Sequence, residues 1–164
     1  RGTVCAALVG TLTTLWCHEF PGFRLMGHAA PTIASGRAIV SGAALLRGET
    51  LDDLRHTSWR RVVHLFRTAI GPSQEYAGQA VFGLDLATGR TVWETRRFTT
   101  TREFKGHISG TATVAGGQAL IALPLADSLV ALDVATGAIA WTAEAGASRG
   151  PPVVVGDEIG RAHV

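Results

Sequence analysis

The sequence lacks most of the features that mark membrane, metal or nucleic-acid proteins. It has no run of about 18 apolar residues, so no membrane span is predicted. Its two cysteines, Cys5 and Cys17, form neither a Cys-x-x-Cys pair nor a Cys/His spacing typical of zinc sites. With 17% charged residues and a net charge of +2, the composition is that of an ordinary globular protein. We therefore expect no nucleic-acid partner.

Catalytic motifs are also missing from the sequence. It contains no nucleophile elbow, no phosphate-cradling glycine loop and no paired-carboxylate site. Basic residues concentrate only at Arg55, Arg60, Arg61 and Arg67. No catalytic, cofactor-binding or metal-binding residue is assigned on these grounds.

What the sequence does contain is an internal repeat. The stretch GLDLATGRTVW at 83–93 returns 48 residues later as ALDVATGAIAW at 131–141. Both copies hold an Asp, a Thr-Gly pair and a final Trp at the same offsets, namely Asp85, Thr88, Gly89 and Trp93, then Asp133, Thr136, Gly137 and Trp141. A period of about 40 to 50 residues is typical of propeller blades or helical arrays.

The residues inside the repeat favour strand, turn and strand. The Asp can accept hydrogen bonds from backbone amides two or three residues on, and the Gly supplies the positive φ of a tight hairpin. The residues that follow are β-branched or aromatic, as Thr91, Val92 and Trp93 illustrate. The fold class predicted is therefore all-β.

A second set of matches adds two more strands to each unit. First strands are predicted at 32–34, 111–115 and 153–155, and second strands at 38–41 and 118–123, with glycines at the turns between them. Four short antiparallel strands per unit form a β-propeller blade.

A weaker third copy opens the chain. Ala6, Thr11 and Trp16 stand at the offsets of the repeat, but Leu8 and Leu12 replace its Asp and Gly. If this copy is real, Cys5 and Cys17 lie on adjacent strands, where a disulfide is conceivable. The interpretation favoured by so few cysteines is two free, buried thiols that behave as small hydrophobic side chains.

The eleven-residue stretches resemble the tryptophan-docking motif of pyrroloquinoline quinone (PQQ) type propeller repeats, whose pattern is Ala, Asp, Thr-Gly-Lys and Trp. The second copy has Ala138 in place of the Lys, and the first has Gly83 in place of the Ala. The resemblance implies that Trp93 and Trp141 pack between neighbouring blades and have a structural role. It also implies a partial β-propeller, with about two complete blades plus pieces of their neighbours.

The domain boundaries follow from the repeat. Residues 1–158 are predicted to form one partial propeller domain, with a blade remnant at 1–20, a blade at 27–97 interrupted by an insertion at 43–79, a blade at 106–143 and the start of another at 146–158. In the insertion, Thr50 to Ile70 fits a capped amphipathic helix, with a basic loop or a strand through 62–66 as alternatives.

The two ends of the chain suggest a gene fragment. The sequence begins with Arg1 rather than Met, and residues 159–164 resemble the translation of a sequencing adapter. The expectation is that this tail is not part of the fold and that further blades belong to the parent protein.

The resemblance implies two functions of different kinds. The favoured one is a non-enzymatic scaffold of the bacterial cell envelope, in the periplasm or another extracytoplasmic compartment, that binds other proteins through its blade loops. The family includes the lipoprotein subunit of the outer-membrane barrel-insertion machinery. The alternative is a sector of a quinoprotein alcohol or sugar dehydrogenase, which would bind PQQ and calcium. The segment itself is expected to hold no cofactor, because the quinone-site residues of such enzymes, including adjacent cysteines, do not map onto it.

Three residues are candidates for binding at the mouth of the propeller channel. His28 and His107 precede the first strands of successive units, and Arg149 falls at a similar point of the next. Each has the simpler interpretation of a loop residue hydrogen-bonded to nearby backbone.

Overall fold

The computed structural model describes residues 2–21, 23–25, 30–45, 73–105, 110–123, 128–145, 150–156 and 158–160. Every regular element in these ranges is a β-strand, and no helix there has the length and apolarity needed to span a bilayer. The strands are β1 (Gly2–Ala7), β2 (Thr14–Phe20), β3 (Phe23–Leu25), β4 (Thr32–Ala34), β5 (Arg37–Leu45), β6 (Ser73–Asp85), β7 (Thr91–Lys105), β8 (Thr113–Ala115), β9 (Gln118–Leu123), β10 (Ser128–Asp133), β11 (Ile139–Glu144), β12 (Val153–Val155) and β13 (Glu158–Gly160).

The strands form four antiparallel sheets that follow one another along the chain. The first sheet is β1–β2, the third is β8-β9-β10-β11, and the fourth is β12–β13. The second sheet has the order β3-β5-β6-β7, and β4 also pairs with β5. Since β3 pairs with 42–44 and β4 with 37–39, these two short strands together form one interrupted inner strand. The predicted all-β, four-stranded blade is confirmed.

The insertion in the second sheet is shorter than the sequence suggested. Strand β5 continues to Leu45 and β6 begins at Ser73, and the two remain paired as far as Leu45 and Tyr76. Residues 43–45 and 73–79, at the two ends of the predicted 43–79 insertion, are therefore strand rather than helical or irregular. The backbone hydrogen bonds between β5 and β6 continue into the segment that the sequence assigned to the insertion. The helix expected from Thr50 to Ile70 lies outside the described residues.

The C-terminal tail also begins later than expected. Ile159 pairs with Val154 and Gly160 with Val153 in the fourth sheet. The expectation that the fold ends before residue 159 is wrong, because these two residues complete a hairpin. Residues 161–164 lie outside the described part of the chain.

The second sheet is buried on both faces, since successive side chains of a strand point to opposite sides. One face, with Ala80 and Phe82, packs against the first sheet, where the rings of Phe20 and Phe82 lie 4.7 Å apart. The other face, with Ile39 and Val81, packs against the apolar side chains of the third sheet. Stacked sheets of this kind are what a propeller requires.

A disulfide joins the two cysteines across the first sheet. Cys5 and Cys17 are direct partners in the β1–β2 register, with their Cα atoms 4.1 Å apart. Both residues are exposed. The favoured interpretation of free, buried thiols is therefore wrong. The pairing register of β1 and β2, which the sequence did not determine, places the two thiols opposite each other.

Reducing this disulfide should loosen the first sheet selectively. Removing a cross-link that spans 12 residues costs about 3 kcal/mol by the chain-entropy estimate. We expect amide hydrogen exchange to accelerate in β1 and β2 in the presence of a reductant and in the Cys5→Ser, Cys17→Ser double variant. Amides of β9 and β10 serve as the internal control, and equal protection of β1 and β2 in both redox states would contradict the expectation.

Candidate functional site: the interfaces between sheets

The turn of each repeat is organised by the carboxylate of its Asp. Oδ1 of Asp133 accepts hydrogen bonds from the Thr136 amide at 2.8 Å and the Thr136 hydroxyl at 2.7 Å. Oδ1 of Asp85 accepts the same pair from Thr88, at 2.9 and 2.8 Å. The Asp-x-x-Thr spacing therefore closes each turn on itself.

These hydrogen bonds favour the charged form of both carboxyl groups. The hydroxyl of Thr136, and then its backbone amide, hold the pKa of Asp133 below its ordinary value. Thr88 lowers the pKa of Asp85 in the same way, and the nearby Arg37 guanidinium adds a smaller effect. The Arg37–Asp85 ion pair, 3.4 Å long and partly exposed, contributes little to stability. Both carboxylates therefore stabilise the turns in which they lie.

The tryptophans join one sheet to the next. The indole of Trp93, at the end of the second sheet, is 7% exposed and donates from Nε1 to the Val134 carbonyl of the third sheet's turn at 3.0 Å. Its ring covers Gly137, where a Cβ would lie 2.5 Å from the ring atoms. The Gly of the motif is thus needed for space as well as for its φ of 72°.

Trp16 makes the same contact between the first and second sheets. Its Nε1 donates to the Leu86 carbonyl at 2.9 Å, and its ring lies against Gly89. Trp16 pairs with Ala6 as Trp141 pairs with Ala131, with a register shift after the Ala in both. The weak third copy therefore has the geometry of the other two.

Trp141 is placed differently. Its ring is half-buried, and its Nε1 donates to Oε1 of Gln118 in its own sheet at 3.2 Å. No described residue of a following sheet covers it as Val134 and Gly137 cover Trp93. Within the described ranges, the contact that the resemblance implies for both tryptophans is made by Trp93 alone.

A second repeated contact joins the inner strands and was missed in the sequence. The Thr32 hydroxyl of β4 donates to the Ala112 carbonyl, just before β8, at 2.7 Å. The Thr113 hydroxyl of β8 donates likewise to the Pro152 carbonyl, just before β12. The available signal was the recurrence of Thr at the start of both first strands, Thr-Ile-Ala and Thr-Val-Ala.

Three buried polar groups were also missed. Ser41 and Gln79 are each 1% exposed, and the Ser41 Oγ and both Gln79 amide atoms have no hydrogen-bond partner among the described residues. The Arg37 Nε is buried and unpaired in the same sense. By strand alternation, Ser41 and Gln79 share the face of Ile39 and Val81 toward the third sheet. An unpaired buried polar group costs about 1–3 kcal/mol, and nothing in the described structure explains these.

The predicted channel-mouth residues His28, His107 and Arg149 all lie outside the described residues. Among the residues described, no three His, Cys, Asp or Glu side chains are grouped so that they could hold a metal ion. An apolar cleft of about 410 Å³ opens between the first and second sheets, lined by residues that include Val4, Trp16, Ile33 and Leu86.

This arrangement of stacked sheets and repeated docking contacts has counterparts among known proteins. The sequence model of a family described as outer membrane protein assembly factor BamB matches residues 3–161. The crystal structure of BamB from Moraxella catarrhalis is similar, with a TM-score of 0.62 and 22% sequence identity over 98% of this chain. The chain spans 37% of the length of that protein, and at this identity the likeness shows the fold. No curated protein sequence matches the chain.

The glycine under Trp93 can be tested against a matched glycine. Gly137 and Gly117 have similar φ values of 72° and 78°, but a Cβ on Gly117 would meet nothing within 4 Å. We expect Gly117→Ala to lower the free energy of unfolding by about 1–2 kcal/mol through backbone strain, and Gly137→Ala to lower it by about 1–3 kcal/mol more because the indole must shift. Urea unfolding followed by circular dichroism measures both, and equal losses would rule out docking as the reason for Gly137.

The Asp turns predict a loss of stability in acid. Because the folded pKa of Asp133 is below its unfolded value, the turn contributes stability above the unfolded pKa and loses it as the pH falls through the folded pKa. We expect Thr136→Val to raise the pKa of Asp133 toward its ordinary value and leave that of Asp85 unchanged. Carboxyl carbon NMR titration measures both groups in one sample, and an unmoved Asp133 would contradict the assignment.

Proposed function

We propose that this chain, which belongs to the family of the outer membrane protein assembly factor BamB, is a sector of a non-enzymatic propeller scaffold of the bacterial cell envelope. In this proposal the parent protein works in the periplasm and binds other proteins through its blade loops. The name of the family describes a factor for outer membrane protein assembly, and we extend that role to this chain.

The observation that carries the proposal is that the repeated motif uses its polar groups within the fold. The carboxylate of Asp133 accepts from Thr136, and the indole of Trp93 donates to a backbone carbonyl. Asp85, Thr88 and Trp16 are used in the same way. Because these carboxylates and indoles are already hydrogen-bonded within turns and between sheets, they serve to build and join blades and do not supply a reactive centre.

The described residues do not fit the cofactors of the quinoprotein alternative. Calcium needs several oxygen ligands, and among the residues described no three His, Cys, Asp or Glu side chains lie close enough together to hold a metal ion. PQQ carries carboxylates that require cationic or amide partners, while the cleft beside the first sheet is lined by apolar residues such as Val4, Ile33 and Leu86. The chain's cysteines are 12 residues apart and bonded across a hairpin, not adjacent. We derive no chemical step through either cofactor.

The order of the inner strands supports a binding surface made of successive loops. Strands β4, β8 and β12 hold corresponding inner positions in successive sheets. The Thr32 and Thr113 hydroxyls link β4 and β8 to the residues just before the next of these strands. The segments that precede these strands in the sequence contain His28, His107 and Arg149. We propose that these segments contact the protein partner, since loops on a rigid scaffold commonly carry binding residues.

The proposal predicts binding to the outer-membrane barrel-insertion machinery from which its own propeller subunit has been removed. We expect saturable binding of that complex to the immobilised chain, weakened by His107→Ala with Arg149→Ala at an unchanged melting temperature. Arg90→Ala, which removes an exposed Arg from a blade turn, is the matched control and should bind as the parent does.

A parallel titration with PQQ and calcium tests the alternative. The scaffold proposal expects no change in the absorbance of the quinone on adding the chain. Failure to bind the machinery, together with a saturable quinone spectral change, would overturn the proposal in favour of a dehydrogenase.

A further inference from the structure

Two polar side chains are buried where the second sheet packs against the third. Ser41 of β5 and Gln79 of β6 are each 1% exposed. Strand alternation places both on the face that carries Ile39 and Val81, which belong to the core shared with the third sheet. The Ser41 Oγ and the Gln79 Oε1 and Nε2 have no hydrogen-bond partner among the described residues. A hydroxyl and an amide are therefore removed from bulk solvent together.

The blade itself does not require a polar residue at position 41. Strands β5 and β9 both begin opposite the Asp of the repeat, so the third-sheet counterpart of Ser41 is Ala122. Ala122 is also buried. Since an alanine packs at this strand position in one blade, the serine in the other is not explained by strand geometry.

The third sheet offers no hydrogen-bond partner to these two side chains. The side chains that it contributes to the shared core are all apolar, namely Ala119, Ile121, Leu123, Val130 and Leu132. The backbone N–H and C=O groups of a sheet point toward neighbouring strands, not toward a sheet packed on its face. A partner for Ser41 and Gln79 must therefore come from something other than the described core residues that face them.

Ser41 and Gln79 lie close enough to share one small partner. Ser41 pairs with Val81, and Gln79 stands two residues before Val81 on β6, so Ser41 and Gln79 are diagonal neighbours. Diagonal neighbours on antiparallel strands are about 7–8 Å apart, within reach of a long side chain. The two side chains are nevertheless not hydrogen-bonded to each other. A gap of this kind can be spanned by one small molecule that forms hydrogen bonds at both ends.

The inner strand of the second sheet is interrupted beside Ser41. Strand β4 pairs with residues 37–39 of β5, and β3 pairs with residues 42–44. Val40 and Ser41 therefore have no described strand partner on the inner side. The buried hydroxyl lies next to a break in the sheet, where a small polar molecule displaces no paired strand.

We propose that Ser41 and Gln79 bind at least one ordered internal water, which bridges the Ser41 Oγ and the Gln79 side-chain amide. Water both donates and accepts, as a hydroxyl and an amide require. A buried water makes about three hydrogen bonds to polar groups that otherwise lack partners, and the three unpaired atoms offer that many. Both side chains are neutral and the facing core is apolar, so an ion would be desolvated without a counter-charge.

With this water, the interface between the second and third sheets is dry at one end and hydrated at the other. Gly83, which lies against the Trp93 ring, is four residues from Gln79 along β6, or about 13 Å. The indole thus marks the dry end and the amide marks the hydrated end. This inference concerns the packing of two described sheets and does not depend on the scaffold proposal.

Water–protein cross-relaxation, measured by NMR on the ¹⁵N-labelled 164-residue chain, tests the proposal. We expect the Gln79 side-chain amide protons to show NOE and ROE cross-peaks with water of opposite sign, which distinguish a long-lived bound water from hydrogen exchange. Gln79→Leu assigns these signals by removing them. The half-buried Gln118, whose Oε1 accepts from Trp141, is the internal control and should show no such pair of cross-peaks.

Ser41→Ala, which introduces the residue of the third sheet, separates a bridging water from an amide that is merely buried. We expect it to abolish the water cross-peaks of Gln79 and to lower the midpoint of urea unfolding. Because one water serves both side chains, the Ser41→Ala, Gln79→Leu double variant should lose less than the sum of the two single losses.

Three results would overturn the proposal. The first is the absence of opposite-sign water cross-peaks at Gln79 in the parent chain, which needs no variant to be measured. The second is that these cross-peaks persist unchanged in Ser41→Ala. The third is that both single variants raise the urea midpoint and their effects add in the double variant, as expected for two groups buried without any partner.

Discussion

The structure depends on one contact, an indole from one sheet pressed onto the glycine turn of the next. Trp93 is buried between two sheets, and its ring nitrogen donates to the Val134 carbonyl rather than remaining unpaired. The contact needs a glycine at 137 for space, an Asp at 133 to shape the turn, and strand β7 to position the ring. The Trp, the Gly and the Asp of the motif thus all serve the same interface. The constant spacing of the repeat is the length of chain that leads from one such interface to the next.

Local chemistry was sufficient to predict most of the strands. Asp, Thr and Gly fix a tight turn within five residues, so the sequence was enough to predict the hairpins whose second strands contain Trp93 and Trp141. Contacts between distant segments were not accessible in this way. The Cys5–Cys17 disulfide needs a cross-strand register, and the Thr32 contact needs the neighbouring sheet, 80 residues away. The proposed channel-mouth residues were placed by position in the repeat alone, and the structure does not test them.

The first sheet keeps the docking contact of the repeat but has different residues in its turn. Its tryptophan docks on Gly89 as the motif requires, so the side facing the second sheet is ordinary. Its turn, however, places Leu12, with a φ of 54°, in a backbone conformation suited to glycine. The same hairpin thus keeps the backbone hydrogen bonds of the repeat's turn although it lacks the Asp and the Gly that the other two copies have there.

The second and third sheets are attached at two places, by Thr32 on the inner strand and by Trp93 on the outer strand. A single attachment would act as a hinge and let one sheet swing about the other. Two attachments at opposite edges fix the angle between the sheets. Since rotation accumulates from one interface to the next in a ring, an angle fixed by one threonine and one tryptophan contributes to how many such sheets a closed circle holds.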